Sequence, residues 1–181
     1  MRVLLVLALT ASAACAQAPP VAPASGAPAT ADAPEADRTA TEAAVAATIQ
    51  GEGVHVVHFW APWCGNSRAE FESGWYEVVE ANPDVSFSFV TIWNDGRDGA
   101  ETLRRYGIPE RAAVYAQPDR GPSADRSLRR TTFLGLPLSW TPTTWVFNRG
   151  GKLAYAFNYG EVTPEQLTQA IEDARDAWMH D

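Results

Sequence analysis

Cysteine is scarce in this 181-residue chain: there are two, with three histidines and two methionines. Two cysteines cannot build a disulfide-rich scaffold, and so few thiols and imidazoles leave little for a metal cluster. Positive charge is also in short supply, with 14 Lys and Arg against 22 Asp and Glu for a net charge of -8. Such a balance is poorly suited to gripping phosphate backbones, so no nucleic-acid partner is expected. No apolar run reaches the about 20 residues that a permanent membrane-spanning helix needs. No internal repeat is found, which removes repeat arrays from consideration. What remains is a chain 46% hydrophobic and 20% charged, enough for one packed domain with length left for a tail.

The chain opens MRVLLVLALTASAACAQ. Arg2 gives a positive start, Val3 to Leu9 an apolar run, and small residues continue to Ala14. This fits a secretory signal over residues 1–16. Two processing outcomes stay open. Ala14-Cys15-Ala16 is an A-x-A site that would release a chain starting at Gln17. Ser12-Ala13-Ala14-Cys15 resembles a bacterial lipobox, with Ser12 where Leu is usual, in which case Cys15 carries a lipid. Residues 17–37 are dominated by Ala and Pro and hold almost no large apolar side chain. They cannot repay their ordering entropy by burial and read as a disordered linker. The expectation is an exported protein of the bacterial periplasm or cell envelope, touching a membrane only through a lipid on Cys15.

From Arg38 the texture changes. Thr39 with Glu42 reads as a capping box for a helix that Gly51 can end. Val54 to Trp60 is a β-rich run, and Cys64 to about Ala81 carries Phe71, Trp75, Val78 and Val79 on one helical face. Asn82-Pro83-Asp84 stops that helix; Val85 to Trp93 is a second strand and Gly99 to Tyr106 a short helix. Thr143 to Phe147 and Leu153 to Phe157 form a hairpin around Asn148-Arg149-Gly150-Gly151. Thr163-Pro164-Glu165-Gln166 caps a last helix, lined by Leu167, Ile171, Ala174 and Trp178. This order predicts an α/β fold, a mixed central sheet with helices on both faces.

Cys64 sits between the first strand and the long helix. Unpaired N–H groups and the dipole at a helix start favour a negative sulfur, and the thiolate is the form that attacks disulfides. The alternative is an inert buried thiol. The surrounding run, Phe59-Trp60-Ala61-Pro62-Trp63-Cys64-Gly65-Asn66-Ser67, resembles the W-x-x-W-C-x-x-C turn of the thioredoxin family. The resemblance covers about residues 54–179 and includes Thr141-Pro142, which matches the family's cis-proline loop. It implies a thioredoxin-like three-layer sandwich over residues 38–181 with an insertion at about 109–140, similar to bacterial periplasmic thiol-disulfide reductases. By this resemblance Cys64 is the nucleophile, Thr141 and Pro142 face the substrate, and Trp60, Trp63, Gly65 and Asn66 shape the contact surface.

The departures matter as much. Ser67 replaces the second cysteine, so the turn cannot form a disulfide within itself. Cys64 then attacks a disulfide-bearing protein or small thiol, and an external thiol must resolve the product. Ser67 either donates its hydroxyl to the thiolate or satisfies local backbone. His58 stands where thioredoxin-like proteins often hold a buried acid; it acts on Cys64 as base or imidazolium, or is a neutral core histidine. His55 should face the opposite side of its strand. Residues 109–140 hold Arg111, Arg120, Arg126, Arg129 and Arg130, read either as a basic patch for an acidic partner or as a solvated face. No cofactor is expected, since there is no C-x-x-C-H for haem and Ser67 removes a soft metal ligand. The rival reading is a binding or chaperone-like module that keeps the fold without redox turnover.

Overall fold

The computed structural model describes residues 38–158 and 162–176. The signal, linker and lipidation expectations at residues 1–37, and Trp178 on the last helix, fall outside the described residues. Helix α1 (Ala40–Ile49) opens with the expected capping box: Thr39 accepts from the Glu42 N–H, and Glu42 accepts from the Thr39 N–H. Strand β1 (His55–Trp60) is buried along its whole length, which explains its unbroken apolar and aromatic texture. Strand β2 (Ser86–Thr91) pairs with β1 in parallel, and His58 stands opposite Phe89. Strands β6 (Thr143–Phe147) and β7 (Leu153–Phe157) form the hairpin; β6 runs antiparallel to both β1 and β7.

Three findings depart from the sequence reading. The helix after Cys64 is broken: α2 (Gly65–Glu72) and α3 (Trp75–Ala81) are separated at Gly74, whose φ of 115° lies in the left-handed region that glycine occupies freely. The apolar spacing runs through the break because both halves cover the same sheet face. Helix α4 (Ala100–Arg105) follows as expected. The segment read as an irregular insertion then supplies β3 (Ala113–Ala116), an edge strand of the main sheet parallel to β2. It also holds a two-stranded ribbon, β4 (Thr132–Phe133) and β5 (Leu136–Pro137). The main sheet has the order β3-β2-β1-β6-β7.

The alternation of β1 separates two cores. Val56 and Trp60 point to one face with Phe71, Trp75, Leu103 and Ile171, under α2, α3, α4 and α5 (Pro164–Arg175). Val57 and Phe59 point to the other with Val45, Ile49, Trp93, Phe133, Leu138 and Trp145. That second face is covered by α1 and the β4–β5 ribbon, so the third layer is part helix and part insertion. Burying side chains of this size contributes roughly 1.5–3 kcal/mol each. Among the described residues no helix is long and apolar enough to cross a membrane.

Candidate thiol site

Cys64 is the N-cap of α2, with extended backbone angles (φ -81°, ψ 122°) that end the loop from β1. Its N–H closes the turn onto the Ala61 carbonyl at 3.0 Å, and its own carbonyl accepts from the Arg68 N–H at 3.2 Å. The side chain makes no capping bond, so the sulfur stands free of the first turn it precedes. Cys64 is a free, half-buried thiol. Its Sγ reaches the Thr141 carbonyl at 3.4 Å, across 77 residues of sequence. Thr141-Pro142 is a cis peptide, and Pro142 is buried while Thr141 is partly open. The sequence pairing of Cys64 with the Thr141-Pro142 loop is therefore met in space.

Ser67 is fully buried, and its hydroxyl oxygen contacts the loop backbone and the Thr141 side chain. The Ala61 N–H donates to Ser67 Oγ at 3.3 Å, and Thr141 Oγ1 lies 3.5 Å away. Ser67 thus laces the β1–α2 loop to the Thr141 turn. Of the two roles read for it, the geometry displays the local one.

His58 needs the same correction. The ring is 1% exposed, packed between Phe71, Trp75 and Phe89. Its Nδ1 lies 3.0 Å from Thr144 Oγ1, and its Nε2 lies 3.5 Å from Glu70 Oε2. Burial pushes its pKa from 6.5 down to about 3. These contacts and the direction of that shift favour the neutral core reading of His58 over a base or an imidazolium acting on Cys64. His55 does face the opposite side, where its Nε2 lies 3.2 Å from the Gly51 carbonyl.

Trp60, expected at the contact surface, is 0% exposed. It ends β1 on the inward parity, edge-on to Phe71 at 5.1 Å, and supports the loop from beneath. Trp63 is 51% exposed, and Gly65 and Asn66 are open, so these three chain neighbours of Cys64 face solvent. The large exposed Trp140, next to Thr141, adds a second aromatic that the sequence reading did not single out.

Glu70 was also missed. It is 2% exposed, one turn beyond Ser67 on the inner side of α2, and its Oε1 accepts from the Val162 N–H at 2.7 Å. The available signal was the i, i+3 spacing, which places positions 67 and 70 on one helix face.

The five arginines of 109–140 do not form one patch. Arg111 donates to the carbonyls of Val79 and Asn82 and lies over Phe87, on the α3 side of the sheet. Arg130 Nε donates to the Pro118 carbonyl at 3.0 Å. Arg129 is the one stacked on the cysteine loop, its guanidinium carbon 5.8 Å from the Trp63 ring centroid and 5.2 Å from that of Trp93. The indole N–H of Trp63 donates to the Trp93 carbonyl, and that of Trp93 to the Arg130 carbonyl, each at 3.0 Å. The insertion is therefore wired directly to the residue preceding Cys64.

Comparison with solved structures finds the same fold in several bacterial proteins. A secreted disulfide oxidoreductase of Mycobacterium tuberculosis, homologous to E. coli DsbE, aligns with 21% identity and a TM-score of 0.51 over 70% of this chain and 85% of its own. A DsbF homologue from Corynebacterium diphtheriae aligns with 21% identity and a TM-score of 0.53, covering 70% of this chain and 74% of that one. A thiol:disulfide interchange protein of the thioredoxin family from Chlorobium tepidum gives 16% identity and 0.50, over 71% and 83%. At these identities the likeness is one of fold. No curated protein matches the chain. Residues 40–175 match the model of the thioredoxin-like domain, and the chain belongs to that family.

Proposed function

We propose that this protein carries out thiol–disulfide exchange through Cys64 as a single reactive thiol. The observation that carries the reading is the position of Sγ, half-open at the start of α2 and 3.4 Å from the Thr141 carbonyl. The Cys64 thiolate attacks one sulfur of a partner disulfide, forming a mixed disulfide and expelling the partner's other sulfur as thiolate. A second, external thiol then attacks the mixed disulfide, releasing the partner and restoring Cys64. Ser67 holds the loop against Thr141 during both steps, Trp63 borders the contact surface, and the Thr141 backbone offers pairing to an extended substrate segment. The structures it resembles are described as secreted disulfide oxidoreductases and interchange proteins, which supports partners bearing disulfides and an exported location. Export would proceed through the signal at residues 1–16, with the intact mass deciding between a lipid on Cys15 and cleavage after Ala16.

The test uses the full chain with Cys15→Ala, incubated with glutathione disulfide. One glutathionyl group should add at Cys64, persist on dilution, and leave when a second thiol is supplied; Cys64→Ser should take none. A Cys64 that stays unmodified overturns the exchange reading and leaves the rival, a binding module on the same fold. That rival draws its support from Ser67, which removes the resolving thiol.

A further inference from the structure

The insertion places a cation beside the cysteine loop that exchange chemistry itself does not call for. Arg129 lies over Trp63 and Trp93, and its Nε donates to the Ser123 carbonyl at 2.7 Å. Ser123 is itself fixed, its N–H and hydroxyl both donating to Asp95 Oδ1 at 2.8 and 2.7 Å. Among the described residues the two terminal amino groups of Arg129 make no hydrogen bond. The side chain is partly exposed and its guanidinium lies over Trp63, the residue that precedes Cys64. Asp119 lies within electrostatic reach of Arg129; its Oδ1 takes the Arg130 N–H at 3.0 Å, and no hydrogen bond joins its carboxylate to Arg129.

The rest of the molecule makes this cation conspicuous. The chain carries a net charge of -8, a field that disfavours the approach of anionic substrates. A guanidinium held by two indole faces and one carbonyl has already given up most of its rotamer freedom, and its fork matches a carboxylate in two-point geometry. We propose that Arg129 is the carboxylate-docking residue of the thiol site, so that Cys64 selects disulfides bearing a negative charge next to the reacting sulfur. This rests on the exchange reading above and names its substrate class: acidic peptides or small carboxylate-bearing disulfides. Trp63 is the spacer between the two functions, adjacent to Cys64 in the chain and under Arg129 in space.

The test compares three disulfides against the full chain carrying Cys15→Ala: the dianionic dithio-bis-nitrobenzoate, the neutral dithiodipyridine and the dicationic cystamine. In each, Cys64–S–S–R forms as one R–S⁻ leaves, so atoms and electrons balance without a further reagent. Arg129→Gln should slow the dianionic probe by about threefold to tenfold, the range expected of one partly exposed charged contact. The neutral probe should be unaffected and cystamine unchanged or faster. Arg129→Lys should recover part of the anionic preference, and added salt should erode it. Equal slowing of all three probes assigns Arg129 a merely structural hold on Trp63 and overturns the proposal. Reaction with all three at rates indifferent to Arg129 overturns it too, while leaving exchange standing. Failure of every probe to react overturns both.

Discussion

His58 gives the sharpest test of the buried architecture. In the unfolded chain its imidazole titrates near 6.5, whereas in the folded protein burial holds it at about 3. Above pH 6.5 both states are neutral and no penalty exists. As pH falls from 6.5 toward 3, the unfolded chain binds a proton that the folded chain refuses, so stability drops. The proton difference is close to one across that window, which makes the slope about 1.4 kcal/mol per pH unit. Acidification from 6.5 to about 4 should remove about 3 kcal/mol, a large share of the roughly 5–15 kcal/mol that holds a small domain. Urea unfolding followed by tryptophan fluorescence, repeated from about pH 7 to about pH 4, measures this directly. His58→Gln, which keeps a partner for Thr144 but cannot titrate, should start less stable and lose less on acidification. Repeating both in a Glu70→Gln background isolates the imidazole from the carboxylate 3.5 Å away. Equal slopes with and without His58, or a wild type that holds its stability in acid, would mean the ring protonates in place and pairs with Glu70. Either outcome refutes the reasoning.

Other perturbations probe the loop from both sides. Gly99 has φ +69°, and a Cβ there would sit 2.7 and 2.8 Å from the buried indole of Trp60. Gly99→Ala should therefore cost about 2–4 kcal/mol in urea unfolding, strain and overpacking adding together; a loss below about 0.5 kcal/mol would show that Trp60 yields easily. Ser67→Cys, in a Cys15→Ala chain, restores a second thiol one helical turn from Cys64. Titratable thiols should fall from two to none on oxidation, and trapped partners should be released without an external thiol; persistence of both thiols would place the introduced sulfur out of reach of Cys64.

The fold was legible where local chemistry and tertiary structure agree. Both capping boxes, at Thr39/Glu42 and Thr163/Gln166, are written in adjacent residues and appear as read. The buried strands announced themselves by aromatic and branched runs. The break at Gly74 did not, because Phe71 and Trp75 keep one apolar face across it and only the backbone angle reveals the turn. Strand β3 escaped notice because Ala113–Ala116 is short, half of it alanine, and only partly buried at the sheet edge. At the site, the Cys64–Thr141 encounter was anticipated by resemblance. Trp60 was misread because a motif names residue types and not the inward parity of the strand end. Arg129 could be counted in the sequence but not distinguished from its four neighbours, since its stacking on Trp63 joins residues far apart in the chain.

Glu42 ties helix α1 to the β4–β5 ribbon. Burial pushes its carboxyl up, but bonds from the N–H groups of Thr39 and Leu134 outweigh that and hold it below the ordinary range. One carboxylate therefore starts α1 and pins the ribbon that closes the arginine-bearing segment, the Leu134 bond being 3.0 Å long. Trimming or exchanging residues 38–42 would loosen that ribbon from a distance. A graft that preserved every residue around Cys64 would still disturb the arginine-bearing segment if it replaced the helix that precedes β1.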